Sequence, residues 1–185
     1  LRREEEKLSV ELNVGKRYGT YGKKYPSDCK KTELVLDELY EYLVDHQGDE
    51  GSRGRAPHNT FAPLALLASG DRKYMDAVVK NVRMHARTTK TVDDSWLINW
   101  SYMAAAIVMS EYYLATQERW VIEELQEVYD FLCSTQYTDL SQVNEKVKES
   151  HPDSWPEGPM EQHGGWGHNP GFEGYGPISM LTAQG

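Results

Sequence analysis

The sequence predicts an all-α fold of stacked helical hairpins, part of a two-layered barrel, with one β-strand ahead of it. Two observations predict this. The first is a repeat. Displacing the chain by 47 residues brings LASGDR (67–72) onto LATQER (114–119) without a gap, and Met75, Val78, Val82 and Met84 onto Ile122, Leu125, Tyr129 and Phe131. Displacing it by 89 brings YLVDHQ (42–47) onto FLCSTQ (131–136), with Leu36, Leu39 and Tyr40 over Leu125, Val128 and Tyr129. A period of about 40–50 residues marks a supersecondary unit that buries its apolar face against its neighbours in a stack. The second is an alternation of character. Segments 33–47, 73–87 and 119–136 carry apolar residues three and four apart with charges between them, whereas 60–69, 96–115 and 175 onward are small and apolar on all sides. The former suit helices with one wet face and the latter helices buried all round, which describes an outer and an inner layer.

The elements follow in order. LSVELNV (8–14) alternates apolar and polar residues with period two, the pattern of a strand. A lone strand is not stable, so it is expected to end a preceding domain or to be borrowed by the barrel. Residues 1–31 thus read as a domain end plus linker, with Ser27 or Asp28 as N-cap of the first helix, and 32–185 as the helical domain. GSRGR (51–55) precedes Pro57, His58 and Asn59, and GGWGH (164–168) precedes Asn169 and Pro170, so the glycine-rich stretch is a recurrent outer-to-inner turn. A phosphate loop would need a strand before it and a Lys-Ser/Thr pair at its end, and neither is present. The charged, proline-containing segment 137–163 reads as a surface insertion.

Composition bounds the function. With 185 residues, 39% hydrophobic and 26% charged, the chain has the make-up of a globular domain or part of a larger one. A formal charge of −9 argues against a nucleic-acid partner, and the basic run from Lys16 to Lys31 is broken by Tyr, Gly and Pro. Two cysteines exclude a disulfide-dense scaffold and a four-cysteine zinc site; Cys29 and Cys133 fall on the first and third outer helices and are expected to be reduced. The apolar stretch 96–114 is interrupted by Asn99, Ser101, Ser110 and Glu111, so membrane insertion is not expected. The chain opens on Leu1 and ends on TAQG, the look of a fragment or processed chain, and the compartment leans toward secreted or periplasmic. Three hairpins leave a core edge open, so further barrel segments or self-association are expected partners.

In a hairpin barrel the outer-to-inner turns emerge at one end and converge on a mouth. His58, His168, Tyr175 and Asp94 are the candidate acids and bases there, and Asn59, Trp96, Trp100, Tyr102, Trp166 and Asn169 the candidate ligand contacts. Trp, Tyr, His and Asn together stack on and hydrogen-bond a sugar or a peptide. The competing reading is structural: the tryptophans fill the funnel, and the His-Asn pairs and Asp93 or Asp94 cap helices. No cofactor and no metal are expected, because Glu161, His163, His168 and Glu173 match no ligand spacing and neither cysteine sits at the mouth.

These turns and hairpins resemble those of α/α toroids: terpenoid cyclases, protein prenyltransferases, complement-type thioester domains and polysaccharide lyases. GTYGKKYPSDCKK (19–31), EYYLAT (111–116), WGH (166–168) and GYG (174–176) are more specifically similar to a bacterial family in which a PDZ-like domain precedes such a toroid. The resemblance spans residues 8–185 and implies a toroid fold; it implies no activity. TVDD (91–94) has Thr91 where the acidic motif of class II terpene cyclases has its first Asp, which ranks isoprenoid cyclisation third among the functions. The leading expectation is binding or processing of a glycan, as by a lyase or hydrolase. A non-catalytic protein- or peptide-binding scaffold is the alternative.

Overall fold

The computed structural model describes residues 19–91, 97–142, 164–171 and 176–185. Among these it is all-α: α1 (Lys30–Asp45), α2 (Ala56–Ala68), α3 (Met75–Thr91), α4 (Ile98–Thr116), α5 (Trp120–Thr135) and α6 (Gly176–Gln184), with 3-10 turns at Arg72–Tyr74 and Leu140–Gln142. The predicted strand 8–14 lies outside the described residues, as does most of the insertion. The chain divides into two compact units at His46–Gln47.

In the first unit a turn folds back on the start of α1. The N-cap is Cys29, not Ser27 or Asp28: Asp28 adopts a left-handed φ of 49° and pairs with Lys24 at 2.6 Å instead. The Cys29 side chain makes no cap and accepts from the Gly22 N–H at 3.2 Å. That bond, together with those from Thr32 and the Lys31 backbone, pulls the thiol down to about 7. Lys31 is buried because its ammonium donates to the Gly19 carbonyl at 2.8 Å and lies 4.2 Å above the Tyr21 ring, so the charge keeps two partners as it leaves water.

The second unit is built around α4, which packs against α2, α3, α5 and α6. Ile98, Asn99, Tyr102–Met109 and Tyr112 are all buried, as expected for a helix without a charge before Glu111. Fully burying a side chain such as Met103 or Met109 contributes about 1.5–3 kcal/mol. Helix α5 runs antiparallel to α4. Tyr102, early in α4, stacks on Phe131, late in α5, at 3.6 Å, whereas Tyr112 meets Trp120 at 6.1 Å beside the connection.

The sequence repeat recurs as repeated hydrogen bonding. Ser69 and Thr116, 47 apart, each close an inner helix in the same way: the hydroxyl donates back to the carbonyl of Leu66 or Tyr112 and accepts from the N–H of Asp71 or Glu118. Gln47 and Gln136, 89 apart, each clamp a glycine turn, donating to the Gly51 and Gly164 carbonyls at 3.0 and 2.7 Å. Gly51 holds φ +92°, and a Cβ there would collide with the Lys80 carbonyl. Gly70 also holds positive φ, +68°, but faces open space. Gly51→Ala is therefore expected to cost about 3–5 kcal/mol in urea denaturation, and Gly70→Asn within about 1 kcal/mol. Equal losses at the two sites would contradict this packing.

Candidate functional site

One glycine turn meets the start of α4 directly, and the other lines a cavity together with Ser101 of α4. The turn 164–171 is fastened to it by hydrogen bonds. Leu97, the N-cap of α4, has φ 68° and offers no side-chain cap. Its N–H donates to Asn169 Oδ1 at 2.6 Å, the Asn99 N–H to the His168 carbonyl at 3.3 Å, and Asn99 Nδ2 to the Gly167 carbonyl at 2.9 Å. The two backbone N–H groups are donors a helix start cannot satisfy itself. The Trp100 indole N–H donates to His168 Nδ1 at 2.7 Å. The two rings are nearly coplanar (17°) with centroids 5.9 Å apart, the geometry of an in-plane bond, not of a face-to-face stack. Because indole can only donate, His168 carries its proton on Nε2.

Trp166 ties the same turn to α5 and α6. Its indole N–H donates to the Leu132 carbonyl at 2.7 Å, and its backbone N–H to the Ser179 hydroxyl at 2.8 Å. Tyr102 lies deeper, with its hydroxyl donating to the Thr89 carbonyl at 2.5 Å. Trp166, His168, Asn169, Trp100 and Tyr102 thus gather about the start of α4.

The turn 51–55 arrives from the other side. Asn59, buried in the first turn of α2, accepts from the Arg53 N–H at 2.6 Å and donates to the Gly54 carbonyl at 3.0 Å, so it organises its own loop. His58 next to it is exposed. Asp94, Trp96 and Tyr175 lie outside the described residues, as do Glu161, His163 and Glu173.

Between this turn, α3 and α4 is a cavity of about 200 Å³ lined by Ser52, Asn59, Met84, His85, Thr88 and Ser101. His85, which the residue pattern at the turns gave no reason to single out, is 3% exposed. Its Nε2 lies 3.2 Å from the Asn59 carbonyl and must donate to it, leaving Nδ1 as an acceptor. Burial pushes the imidazole down to about 4. The repeat does contain a signal for it. Displaced by 47, His85 falls on Leu132, so one imidazole occupies a register position that is aliphatic in the next unit. Ser52 accepts from the Gly54 N–H at 3.2 Å and keeps a hydroxyl proton to donate.

Two outcomes follow from this geometry. His85 is neutral when folded and titrates near 6.5 when unfolded, so the unfolded state takes up the proton first. Stability is full above about pH 6.5 and declines by up to about 3 kcal/mol as pH falls toward 4. His85→Leu, the side chain of the matching position, is expected to flatten that slope while costing about 1 kcal/mol at pH 7.5 from the abandoned Asn59 carbonyl. Denaturant titrations at several pH values measure both. His168→Ala strips the Trp100 indole of its acceptor and is expected to cost about 1–2 kcal/mol, readable in thermal unfolding.

No curated protein matches the chain, and no solved structure matches it. The match that exists is to a family model, over residues 32–180, which takes in the described helices from within α1 to within α6 and both glycine turns. The chain belongs to that family, described as a domain of unknown function (DUF6288).

Proposed function

We propose that the helices form part of an α/α toroid and that the domain binds a carbohydrate at the end where the glycine turns meet α4. The observation that carries this reading is the lining of the 200 Å³ cavity: two serines, a threonine, an asparagine and a neutral histidine, with Met84 as the apolar wall. A sugar hydroxyl both donates and accepts, and this lining offers the His85 acceptor beside the Ser52 donor. The volume is below the range usual for a whole small-molecule site, which suits one ring at the end of a chain.

Binding is favoured over turnover by the state of the polar groups. General acid–base catalysis requires a group that exchanges its proton near the working pH. His85, with its pKa near 4, is a poor acid and a weak base at neutral pH. In the turn 164–171 Asn169 is spent on the N-cap of α4, His168 on the Trp100 indole and Trp166 on the Leu132 carbonyl of α5. The reading makes these mouth residues the frame of the site and Ser52, His85, Thr88 and Ser101 its contacts.

Titration with a panel of oligosaccharides, followed by NMR, is expected to give saturable binding in the millimolar to micromolar range. Ser101→Val, which narrows the cavity without touching the turn bonds, is expected to weaken it at least tenfold with little change in melting temperature. Absence of any saturable sugar binding, or an unaffected Ser101→Val, would remove the proposal.

A further inference from the structure

Arg53, in the first glycine turn, is a half-buried cation with an unused edge. Its backbone is fixed: the N–H donates to Asn59 Oδ1 at 2.6 Å, and Gln47 and Asn81 both donate to the Gly51 carbonyl at 3.0 Å. Its Nε and Nη2 are shielded from water, and among the described residues neither has a hydrogen-bond partner. Burial holds the guanidinium below its ordinary pKa. These two nitrogens form one side of the planar group, with parallel N–H bonds spaced for the two oxygens of a carboxylate. Lys31, also taken out of water, shows what such a charge requires: a carbonyl at 2.8 Å and the Tyr21 ring beneath it.

The local sequence supplies no anion. From Gly51 to Gly70 it contains no Asp or Glu, although the chain carries 29 acids and a net charge of −9. Glu50, just before the turn, is taken by Arg87 at 2.9 Å. Helix α2 adds to the positive field, since its start has no side-chain cap and no acid in the first turn. A desolvated charge without a counter-ion is costly, and an arriving anion offsets that cost. The residues on either side of Arg53, Ser52 and Gly54, line the 200 Å³ cavity. Consecutive Cα atoms are about 3.8 Å apart, so Arg53 is rooted beside the cavity wall.

We propose that the sugar bound in this cavity is acidic, and that Arg53 takes its carboxylate through the Nε–Nη2 edge. The inference rests on the carbohydrate reading and names the class of sugar. Part of the Arg53 side chain reaches solvent, and rotation about its outer bonds turns the inner edge to the ligand. Ser52, His85, Thr88 and Ser101 meet the ring hydroxyls, and Arg53 selects uronic acids over neutral sugars.

The test is calorimetric titration of the full chain with oligosaccharides of galacturonate, mannuronate and glucuronate, each beside its uncharged methyl ester. At least one acid is expected to bind about tenfold tighter than its ester or better, with the preference shrinking severalfold as salt rises from about 50 to about 300 mM. Arg53→Gln is expected to abolish the preference while leaving ester binding within about twofold, and Arg53→Lys, which restores charge without the two-toothed edge, to recover only part of it. Because Arg53→Gln removes an unpaired charge, its melting temperature without sugar is expected not to fall. Equal binding of acids and esters, or a preference that survives Arg53→Gln, overturns the inference and leaves the carbohydrate reading standing. No binding of acids and esters alike removes both. A sulfated sugar bound more tightly than every uronate overturns the carboxylate assignment. A melting temperature several degrees lower in Arg53→Gln would give Arg53 an acid of the chain itself as partner and overturn the inference equally.

Discussion

The constraint on which the second unit depends is the capping of α4. A helix buried along its length still begins with backbone N–H groups that it cannot satisfy internally, and buried without partners these are costly. Leu97 brings no capping side chain. The acceptors come instead from the His168 carbonyl and the Asn169 side chain, about 70 residues further along the chain. The core helix and the glycine turn therefore require one another. The turn is fixed by what it caps, and α4 has its entry geometry from the turn.

That dependence extends outward through the repeat. Gln136 and Trp166 hold the turn to the end of α5, much as Gln47 and Asn81 hold the first glycine turn to α3. At both turns a glutamine just past the end of a helix donates to a glycine carbonyl, so each turn is anchored by a backbone group and a side-chain amide. Where the first glycine turn approaches α3 and α4 it encloses a polar cavity next to a packed apolar core. His85 stays neutral there because burial penalises its charged form.

Helices α3 and α5 follow a different logic. They carry opposite charge and meet through long side chains, while each packs on α4. Exposed ion pairs such as Lys90–Glu124 add little stability, and their value lies in fixing which helix lies beside which.

The sequence by itself determined the helices, their two classes and the repeat. Amphipathic spacing places apolar groups on one side whatever the partner, and the glycine turns mark where the chain reverses. The outer and inner segments fall within a few residues of α1 to α6. What it could not determine is anything that depends on which distant groups meet. Cys29 displaced Ser27 and Asp28 at the first N-cap because the fold of residues 19–28 gave Asp28 another partner. Histidine 168 looks from its neighbours like a site residue, yet the approach of Trp100 decides that its Nδ1 accepts an indole proton. His85 looks like one polar residue on an amphipathic helix. Only the closure of α2 over it makes it a buried neutral base beside a cavity. Periodicity is a local property of the chain, whereas the pairing of a donor with an acceptor about 70 residues away exists only once the helices have packed.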